Sequence, residues 1–279
     1  MKLANHYCAA ESIMVVLSRS VDKIVFSRAQ SEGEGATVRR TIGTPGLPNF
    51  DPFLMLDEFT VGLPGGFPAH PHRGFSTVTY LLDDSAGSIV HKDFAGHAGT
   101  INAGEVQWMV AGKGIVHSEM PVSALEAHGL QLWVNLPATD KMTAPTYQEL
   151  QAKDMVKVTK DGVTASIIAG SALGQSSPVK TNTPVHFSHF SMQPLSKLSQ
   201  SIPTTFAAFI YALKGEATVG HTEAKVTAHH VATLDKEGDG IVITAGSDGF
   251  DFVLVSGEPI NETVVQHGPI VMNTKEEIR

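Results

Sequence analysis

The stretch that decides the fold covers residues 67–121 and carries two short motifs, HPHRGF at residues 70–75 and GIVHSEMP at residues 114–121. In an extended strand, residues two apart lie on the same face, roughly 6 to 7 Å from each other. Each motif contains one such pair of metal-binding side chains. The spacing predicts one site with three imidazoles and one carboxylate: His70, His72, His117 and Glu119.

Pro71 lies between the first two histidines, and its side chain points away from the predicted site. Proline has no backbone N–H to donate to a neighbouring strand, so this strand should lie at a sheet edge or at a strand start. Such a position suits the mouth of a β-barrel.

The predicted ligands are nitrogen and carboxylate donors without a thiolate, a set that suits a non-haem iron ion. The same donors also suit Mn, Co, Ni, Cu or Zn, because affinity alone does not select among first-row metals. Four protein ligands on a six-coordinate ion would leave two positions open, for a bidentate substrate or for a substrate oxygen and O₂.

Short segments rich in β-branched and aromatic residues surround the two motifs, with turn-prone segments such as 83–87 and 95–99 between them. This spacing predicts an antiparallel sandwich or barrel. The second half repeats the plan, since residues 206–216 and 252–259 echo residues 80–82 and 130–137. We therefore predict an internal duplication of a β-domain, whose second copy lacks the paired ligand motifs.

Composition narrows the functional classes. The chain has 279 residues, 42% hydrophobic and 17% charged, and a formal net charge of −8, which disfavours direct binding to nucleic acid or to an anionic membrane. It contains no apolar run long enough for a membrane helix. Its single cysteine, Cys8, cannot form an internal disulfide, which favours the cytosol or nucleus.

The chain begins with a lead-in over residues 1–20 that has few charges and one apolar run at residues 13–17. We interpret it as a disordered or strand-forming segment, with an organellar presequence as the alternative. Residues 21–40 alternate apolar and polar side chains around the turn-prone segment 31–35, which predicts a hairpin.

Several longer motifs resemble the pirin family, and the resemblance runs from about Ser18 to the end of the chain. They are DPFL at 51–54, PGGFP at 64–68, HPHRGF at 70–75, QWM at 107–109, GIVHSEMP at 114–121, HGLQLWVN at 128–135 and QHGP at 266–269. The family usually carries Glu where this chain has Ser76, which puts one contact to a ligand in question.

The resemblance implies an all-β bicupin with two antiparallel jelly-roll barrels. Residues 275–278 are themselves typical of a short helix start. We assign residues 21–145 to an N-terminal metal-binding cupin, 146–262 to a C-terminal cupin without metal, and 263–279 to a tail that packs back on the first barrel. It also implies one Fe(II) at the positions of His70, His72, His117 and Glu119.

The activity that the resemblance implies is that of a quercetin 2,3-dioxygenase, with a flavonol and O₂ as substrates and carbon monoxide as a product. Glu119 would be the general base, since it alone among the ligands can bind metal and accept a proton. The alternative is a nuclear transcriptional co-regulator that acts through a transcription-factor partner, with iron as a redox or structural switch. A third hypothesis is an inactive metal-bound scaffold. We expect a monomer in the nucleus and cytoplasm.

Other chemically active residues have simpler interpretations. We predict His97 as a solvated turn residue, with a place beside the pocket as the alternative. His186 and His189 should point to opposite faces of a strand, and His229 and His230 should be exposed. Arg39 and Arg40 should form a solvated basic spot. The bulky side chains Trp108, Met109 and Trp133 should lie in the core, with some of them lining the pocket.

Overall fold

The computed structural model describes residues 16–32 and 35–279, and most of these residues lie in β-strands. The first twelve strands are β1 (Val21–Phe26), β2 (Ala29–Glu32), β3 (Ala36–Ile42), β4 (Phe53–Val61), β5 (Phe67–His72), β6 (Phe75–Leu81), β7 (Ile89–Asp93), β8 (Ala98–Ile101), β9 (Val106–Val110), β10 (Ile115–Pro121), β11 (Ala127–Asn135) and β12 (Thr146–Leu150).

The remaining elements are β13 (Val156–Lys160), β14 (Val163–Ala169), β15 (Ser171–Ala172), β16 (Gln175–Ser176), β17 (Val185–Met192), β18 (Lys197–Ser201), β19 (Ala207–Val219), β20 (Ala224–Thr227), β21 (His230–Leu234), β22 (Gly240–Gly257), β23 (Val265–His267), β24 (Ile270–Met272) and α1 (Lys275–Ile278). Within the described ranges, no helix has the length and apolar character needed to cross a membrane.

The N-terminal barrel consists of two antiparallel sheets that face each other. One has seven strands in the order β12-β9-β6-β11-β4-β3-β2, and the other has four in the order β5-β10-β7-β8. Apolar side chains from both sheets, including Phe59, Leu81 and Ile89, close one end of the space between them. The other part of this space opens onto the predicted metal site.

The C-terminal barrel is one nine-stranded sheet that bends around its own core. Its two longest strands, β19 and β22, shift register near Gly215, which lets each strand turn the corner. Gly215 has φ +76°, and a Cβ there would lie 2.2 Å from the carbonyl oxygen of Gly249. Glycine therefore permits the close approach of the two strands at the bend.

The two barrels pack through the outer faces of their large sheets. The shared core contains Trp108 and Leu132 from the first barrel and Phe187, Phe209 and Val253 from the second. Strand β6 is buried at every position because one face lines the first barrel and the other meets this core. The predicted duplication of a β-domain and the predicted core position of Trp108 are both confirmed.

Sheet pairing departs from the predicted domain boundaries at two strands. β1 pairs with β21 of the C-terminal sheet, so the predicted hairpin is present only between β2 and β3. β12 pairs with β9 of the N-terminal sheet. Residues 16–20 also contact the second barrel, where the buried Arg19 donates to the carbonyl oxygens of Phe206 and Pro203. Residues 1–15, which include most of the predicted lead-in and Cys8, lie outside the described ranges.

The C-terminal tail packs against the first barrel next to β5, the strand that carries His70 and His72. Val271 donates its backbone N–H to the carbonyl oxygen of Arg73 at 2.9 Å. A Cβ on Gly74, which has φ +86°, would lie 1.8 Å from the carbonyl oxygen of Val271. The buried Lys141 ammonium donates to the carbonyl oxygens of Gly74 and Val271 and to Oδ1 of Asn135, at 2.8, 3.3 and 2.6 Å. It therefore joins the tail to the barrel.

The predicted helix start at the end of the chain is present as α1. The Thr274 side chain accepts from the backbone N–H of Glu277, whose carboxylate in turn accepts from the backbone N–H of Thr274. This reciprocal capping satisfies two backbone donors at the first turn.

Candidate metal centre

The three predicted histidines meet at the edge of the four-stranded sheet. β5 is the edge strand, as Pro71 predicts, and His70 lies directly opposite His117 on β10. Ring centroids are 4.7 Å apart for His70 and His72, 4.6 Å for His70 and His117, and 5.0 Å for His72 and His117. One ring nitrogen from each lies within 4.8 Å of the others, close enough to bind one ion.

The state of these imidazoles fits a bound metal. His72 and His117 are each 3% exposed. Within the described ranges, Nδ1 of His72 and both ring nitrogens of His117 have no hydrogen-bond partner. Buried polar atoms of this kind are costly unless they gain a partner, and a metal ion is one such partner. His70 is oriented by a 2.7 Å contact between its Nδ1 and the carbonyl oxygen of Pro68, which leaves Nε2 as its ligand atom.

Burial also keeps two of the rings neutral, the form that binds metals. The pKa of His72 is well below its usual value because the ring is desolvated, and the neighbouring His117 and His70 lower it further. Desolvation likewise lowers the pKa of His117, although the nearby Glu119 carboxylate partly opposes this effect.

Glu119 borders the same space but has hydrogen-bond partners of its own. A register shift separates His117 from Glu119 in the pairing with β5. Oε1 of Glu119 accepts from the Thr79 hydroxyl at 2.7 Å, and Oε2 accepts from Nε2 of Gln131 at 3.2 Å. The carboxylate lies outside the group of three nitrogens within 4.8 Å of one another, so its role as the fourth ligand stays a prediction.

The sequence analysis did not identify Thr79 and Gln131, although a signal was present. Gln131 lies between two leucines on β11, Leu130 and Leu132, and Thr79 lies directly opposite it on β6. Two polar side chains that lie directly opposite each other on neighbouring strands indicate a polar spot inside the barrel. Ser76, in contrast, pairs with Val110 and Val134 of the shared core, on the face of β6 away from the site.

A cavity of about 560 Å³ opens onto His70, His72 and Glu119, three of the predicted metal ligands. Its apolar wall and its metal-facing end contain Leu54, Phe59, Phe67, Trp133, His70, His72 and Glu119. Trp133 packs against His72 with ring centroids 5.3 Å apart, so it lines the pocket while Trp108 and Met109 are buried in cores. Ligand pockets typically have this size and this mainly apolar lining.

The prediction that Arg39 and Arg40 form a solvated basic spot is wrong. Arg40 lines the cavity and binds Asp57 through two hydrogen bonds of 3.0 and 2.7 Å. Burial raises the pKa of Asp57, while Arg40 opposes the rise. Arg39 is half-buried, with its guanidinium 3.9 Å from Glu58. Both arginines belong to β3, whose polar residues face carboxylates on β4.

The prediction that His229 and His230 are exposed is also wrong. Nδ1 of His229 lies 3.1 Å from Oε2 of Glu58, a buried carboxylate between the barrels that also accepts from Tyr211 at 2.6 Å and contacts Nε2 of His128 at 2.9 Å. Burial alone would raise the pKa of Glu58, but its hydrogen bonds outweigh that effect and lower it. His230 is half-buried and contacts Thr227.

His186 and His189 lie on opposite faces of β17, as predicted. His186 packs on Phe206 in the second barrel, with ring centroids 5.5 Å apart. His189 lies between the barrels, with Nδ1 2.9 Å from the Tyr80 hydroxyl and Nε2 2.8 Å from Oδ1 of Asp251.

His97 is neither a solvated turn residue nor part of the cavity wall. It is half-buried, stacks on Tyr147 with ring centroids 4.1 Å apart, and lies 3.0 Å from Glu149. His91, on β7, joins the same group. The sequence analysis did not assign a role to His91 or Glu149.

Two β-barrels in one chain, with a histidine cluster inside the first, define the class of bicupins. Family models agree in both halves: the model described as Pirin matches residues 35–134, and the model described as Pirin C-terminal cupin domain matches residues 187–279. The chain belongs to the pirin family.

Individual relatives agree over nearly the full length. Pirin of Homo sapiens is 52% identical over 264 residues, which cover 94% of this chain and 90% of the relative. A pirin-like protein of Solanum lycopersicum is 53% identical over 262 residues, 93% of this chain and 89% of the relative. Among solved structures, a quercetin 2,3-dioxygenase from Acinetobacter baumannii is similar with a TM-score of 0.85 and 30% identity, covering 93% of this chain and 94% of that one.

Proposed function

We propose that this protein is a pirin-like iron dioxygenase of the quercetin 2,3-dioxygenase type, which opens the central ring of a flavonol with O₂ and releases carbon monoxide. The observation that carries the proposal is the cavity of about 560 Å³ that ends at His70, His72 and Glu119. A closed site beneath a charged surface would instead suit a purely regulatory protein. The similarity to a quercetin 2,3-dioxygenase supports the same activity.

Four residues would hold one Fe(II): His70, His72, His117 and Glu119. When bound, the ion would supply Lewis acidity towards the flavonol oxygens and redox chemistry towards O₂. The donor types fit iron and also fit other divalent first-row metals, so iron is part of the proposal.

The polar side chains around Glu119 would position the substrate and accept its proton. Glu119 would take the proton of the flavonol 3-hydroxyl group, with its carboxylate oriented by Thr79 and Gln131. Oε1 of Gln131 is buried and has no hydrogen-bond partner within the described ranges, so it is free to accept from a substrate hydroxyl. Arg40 and Asp57, on the cavity wall, would bind further hydroxyl groups.

The apolar wall would hold the flat rings of the substrate and exclude bulk water from them. Trp133 and Phe59 offer aromatic faces, and Leu54 adds an aliphatic surface. Exclusion of water strengthens the hydrogen bonds at the polar end of the cavity. The same wall would accept any planar enol of similar size, so the substrate class is a flavonol-like enol.

The test is O₂ uptake and CO release on addition of quercetin to protein loaded anaerobically with Fe(II). We expect iron-dependent turnover that is abolished in His117→Ala. The control His221→Ala, which changes an exposed histidine of the second barrel, should keep this turnover. Protein that holds one iron at the His117 site and consumes no O₂ would refute the dioxygenase assignment.

The second candidate is a nuclear and cytoplasmic co-regulator that binds a transcription-factor partner and uses iron as a switch. An exposed apolar pair favours it: Phe94 is 70% and Val116 is 39% exposed, and the two are joined by a 3.0 Å backbone hydrogen bond. Val116 precedes His117 on the same strand, so iron bound inside the barrel would restrain this outer surface. An iron-dependent decrease in hydrogen exchange at residues 94 and 116 would support this role, and equal exchange with and without iron would contradict it.

A further inference from the structure

A second group of metal-binding side chains lies in the N-terminal barrel, apart from the three histidines of the cavity. It combines His91 on β7, His97 just before β8, and Glu149 on β12. Nε2 of His91 and Nε2 of His97 lie 3.2 and 3.0 Å from Oε1 of Glu149, and the three ligand atoms all lie within 4.8 Å of one another. Two imidazoles and one carboxylate therefore converge from three separate elements.

The decisive atom in this group is Nε2 of His91. The side chain is 2% exposed, yet this nitrogen has no hydrogen-bond partner within the described ranges. Oε1 of Glu149 lies 3.2 Å away, but the two atoms do not form a hydrogen bond. A buried ring nitrogen without a partner is costly, and coordination to an ion shared with His97 and Glu149 would remove that cost.

Neighbouring side chains hold the other two candidate ligands in position, as the residues that contact the ligands do in known metal sites. The ring of Tyr147 stacks on His97, and its hydroxyl donates to Oδ2 of Asp93 at 2.8 Å. Nε2 of Gln107 donates to Oε1 of Glu149 at 3.1 Å. Both ligands are thus fixed before an ion arrives.

Space for an ion is available beside these ligand atoms because residue 99 is a glycine. A Cβ on Gly99 would lie 2.6 Å from Nε2 of His91 and 3.6 Å from Oε1 of Glu149. His97 and Glu149 are 37% and 42% exposed, so an ion can enter from solvent. Ligand atoms about 2.0 Å from a tetrahedral ion would lie about 3.3 Å apart, close to the separations observed between these side chains.

We propose that His91, His97 and Glu149 form a second binding site for a divalent first-row transition metal ion, with water in the remaining coordination positions. The donor set is mixed nitrogen and oxygen, which suits Zn²⁺, Co²⁺, Ni²⁺ or Fe²⁺ rather than Ca²⁺ or Mg²⁺. The site adjoins the first one, because His91 is paired with Glu119 and Asp93 with His117 across β7 and β10. An ion there would fix β7 against the strand that carries two of the predicted ligands.

The experiment is a count of bound Zn²⁺ on the full chain, by equilibrium dialysis followed by elemental analysis. We expect two ions per chain for the wild type, one for His97→Ala, one for His117→Ala and none for the double variant. The control His221→Ala should keep two. Removing His97 should weaken the second site by about 100-fold or more, since even loss of an orienting contact costs up to that factor.

A second variant, Gly99→Ala, keeps all three candidate ligands and fills only the space for the ion beside them. Gly99→Ala should bind one Zn²⁺ and keep the far-ultraviolet circular dichroism spectrum of the wild type. The proposal is overturned if the wild type binds one Zn²⁺ and His97→Ala still binds it. It is also overturned if folded His97→Ala binds two Zn²⁺. If the wild type binds one Zn²⁺, and this ion is lost in His97→Ala but kept in His117→Ala, the second site is supported. The same result would refute the metal centre of the proposed dioxygenase.

Discussion

The hydrogen bond from Thr79 to Glu119 makes a sharp test of the metal centre. The change is Thr79→Val, which keeps the shape of the side chain and removes its hydroxyl. Thr79 is 3% exposed, and its hydroxyl lies 2.7 Å from Oε1 of Glu119, the length of a charge-assisted hydrogen bond. The remaining contact to Gln131 is longer, at 3.2 Å, so Thr79 should contribute more to the position of the carboxylate.

The expected effect follows from the strength of this contact. A hydrogen bond to a charged group is worth about 1.5–3 kcal/mol, which corresponds to about 10- to 100-fold in an equilibrium constant. If Glu119 binds the iron, Thr79→Val should weaken Fe(II) binding by that factor, because the carboxylate is no longer held in place. The Fe(II) dissociation constant, measured by competition with a coloured chelator, is the readout.

The matched control is Thr233→Val, the same substitution at an equally buried position on β21 of the second barrel, where the side chain is 3% exposed. It should change the Fe(II) dissociation constant by less than about twofold, because surface and core changes away from the ligands act mainly on stability. Equal Fe(II) affinities of Thr79→Val, Thr233→Val and wild type would refute the reasoning and remove Glu119 from the ligand set.

Two further predictions concern stability. Lys141→Met should lower the free energy of unfolding by about 3 kcal/mol, because it leaves buried acceptors in the barrel and the tail unpaired. The melting temperature should fall by about 6–12 °C. Circular dichroism melts of Lys141→Met that match those of the exposed-site control Lys153→Met would contradict this prediction. The hydrogen bond to Glu58 raises the pKa of His128, so its contribution to stability should be complete below about pH 6.5 and be lost as pH rises through the raised pKa. Urea unfolding of wild type and His128→Gln should therefore differ by about 1.5 kcal/mol at pH 6 and by less at pH 9, and a difference that grows with pH would refute the sign.

The sequence predicted the histidine cluster because its information is local. His70 and His72 share one strand, Pro71 marks that strand as an edge, and the second motif supplies His117 at the position directly opposite. Strand periodicity and the missing donor of proline depend only on neighbouring residues. The resemblance to pirins then supplied the bicupin plan and the returning tail, which the structure contains. The helix start was predicted from residues 275–278 themselves, and α1 confirms it.

Contacts between elements distant in the chain were not predictable in this way. Glu119 was predicted only as a metal ligand and general base, and the opposite sheet supplies Thr79 and Gln131 as its hydrogen-bond partners. Arg40 was expected in solvent, and β3 instead turns it towards the cavity. His229 was expected to be exposed, and the packing of the two barrels covers it.

The sequence by itself determined the strand-rich class, the duplication and the three-histidine cluster, since each follows from spacing within short segments. The tertiary structure decided which sheet receives β1 and β12 and how His91, His97 and Glu149 converge. The physical reason is that alternation fixes the two faces of a strand, whereas the neighbours on each face depend on sheet order and on the packing of one barrel against the other.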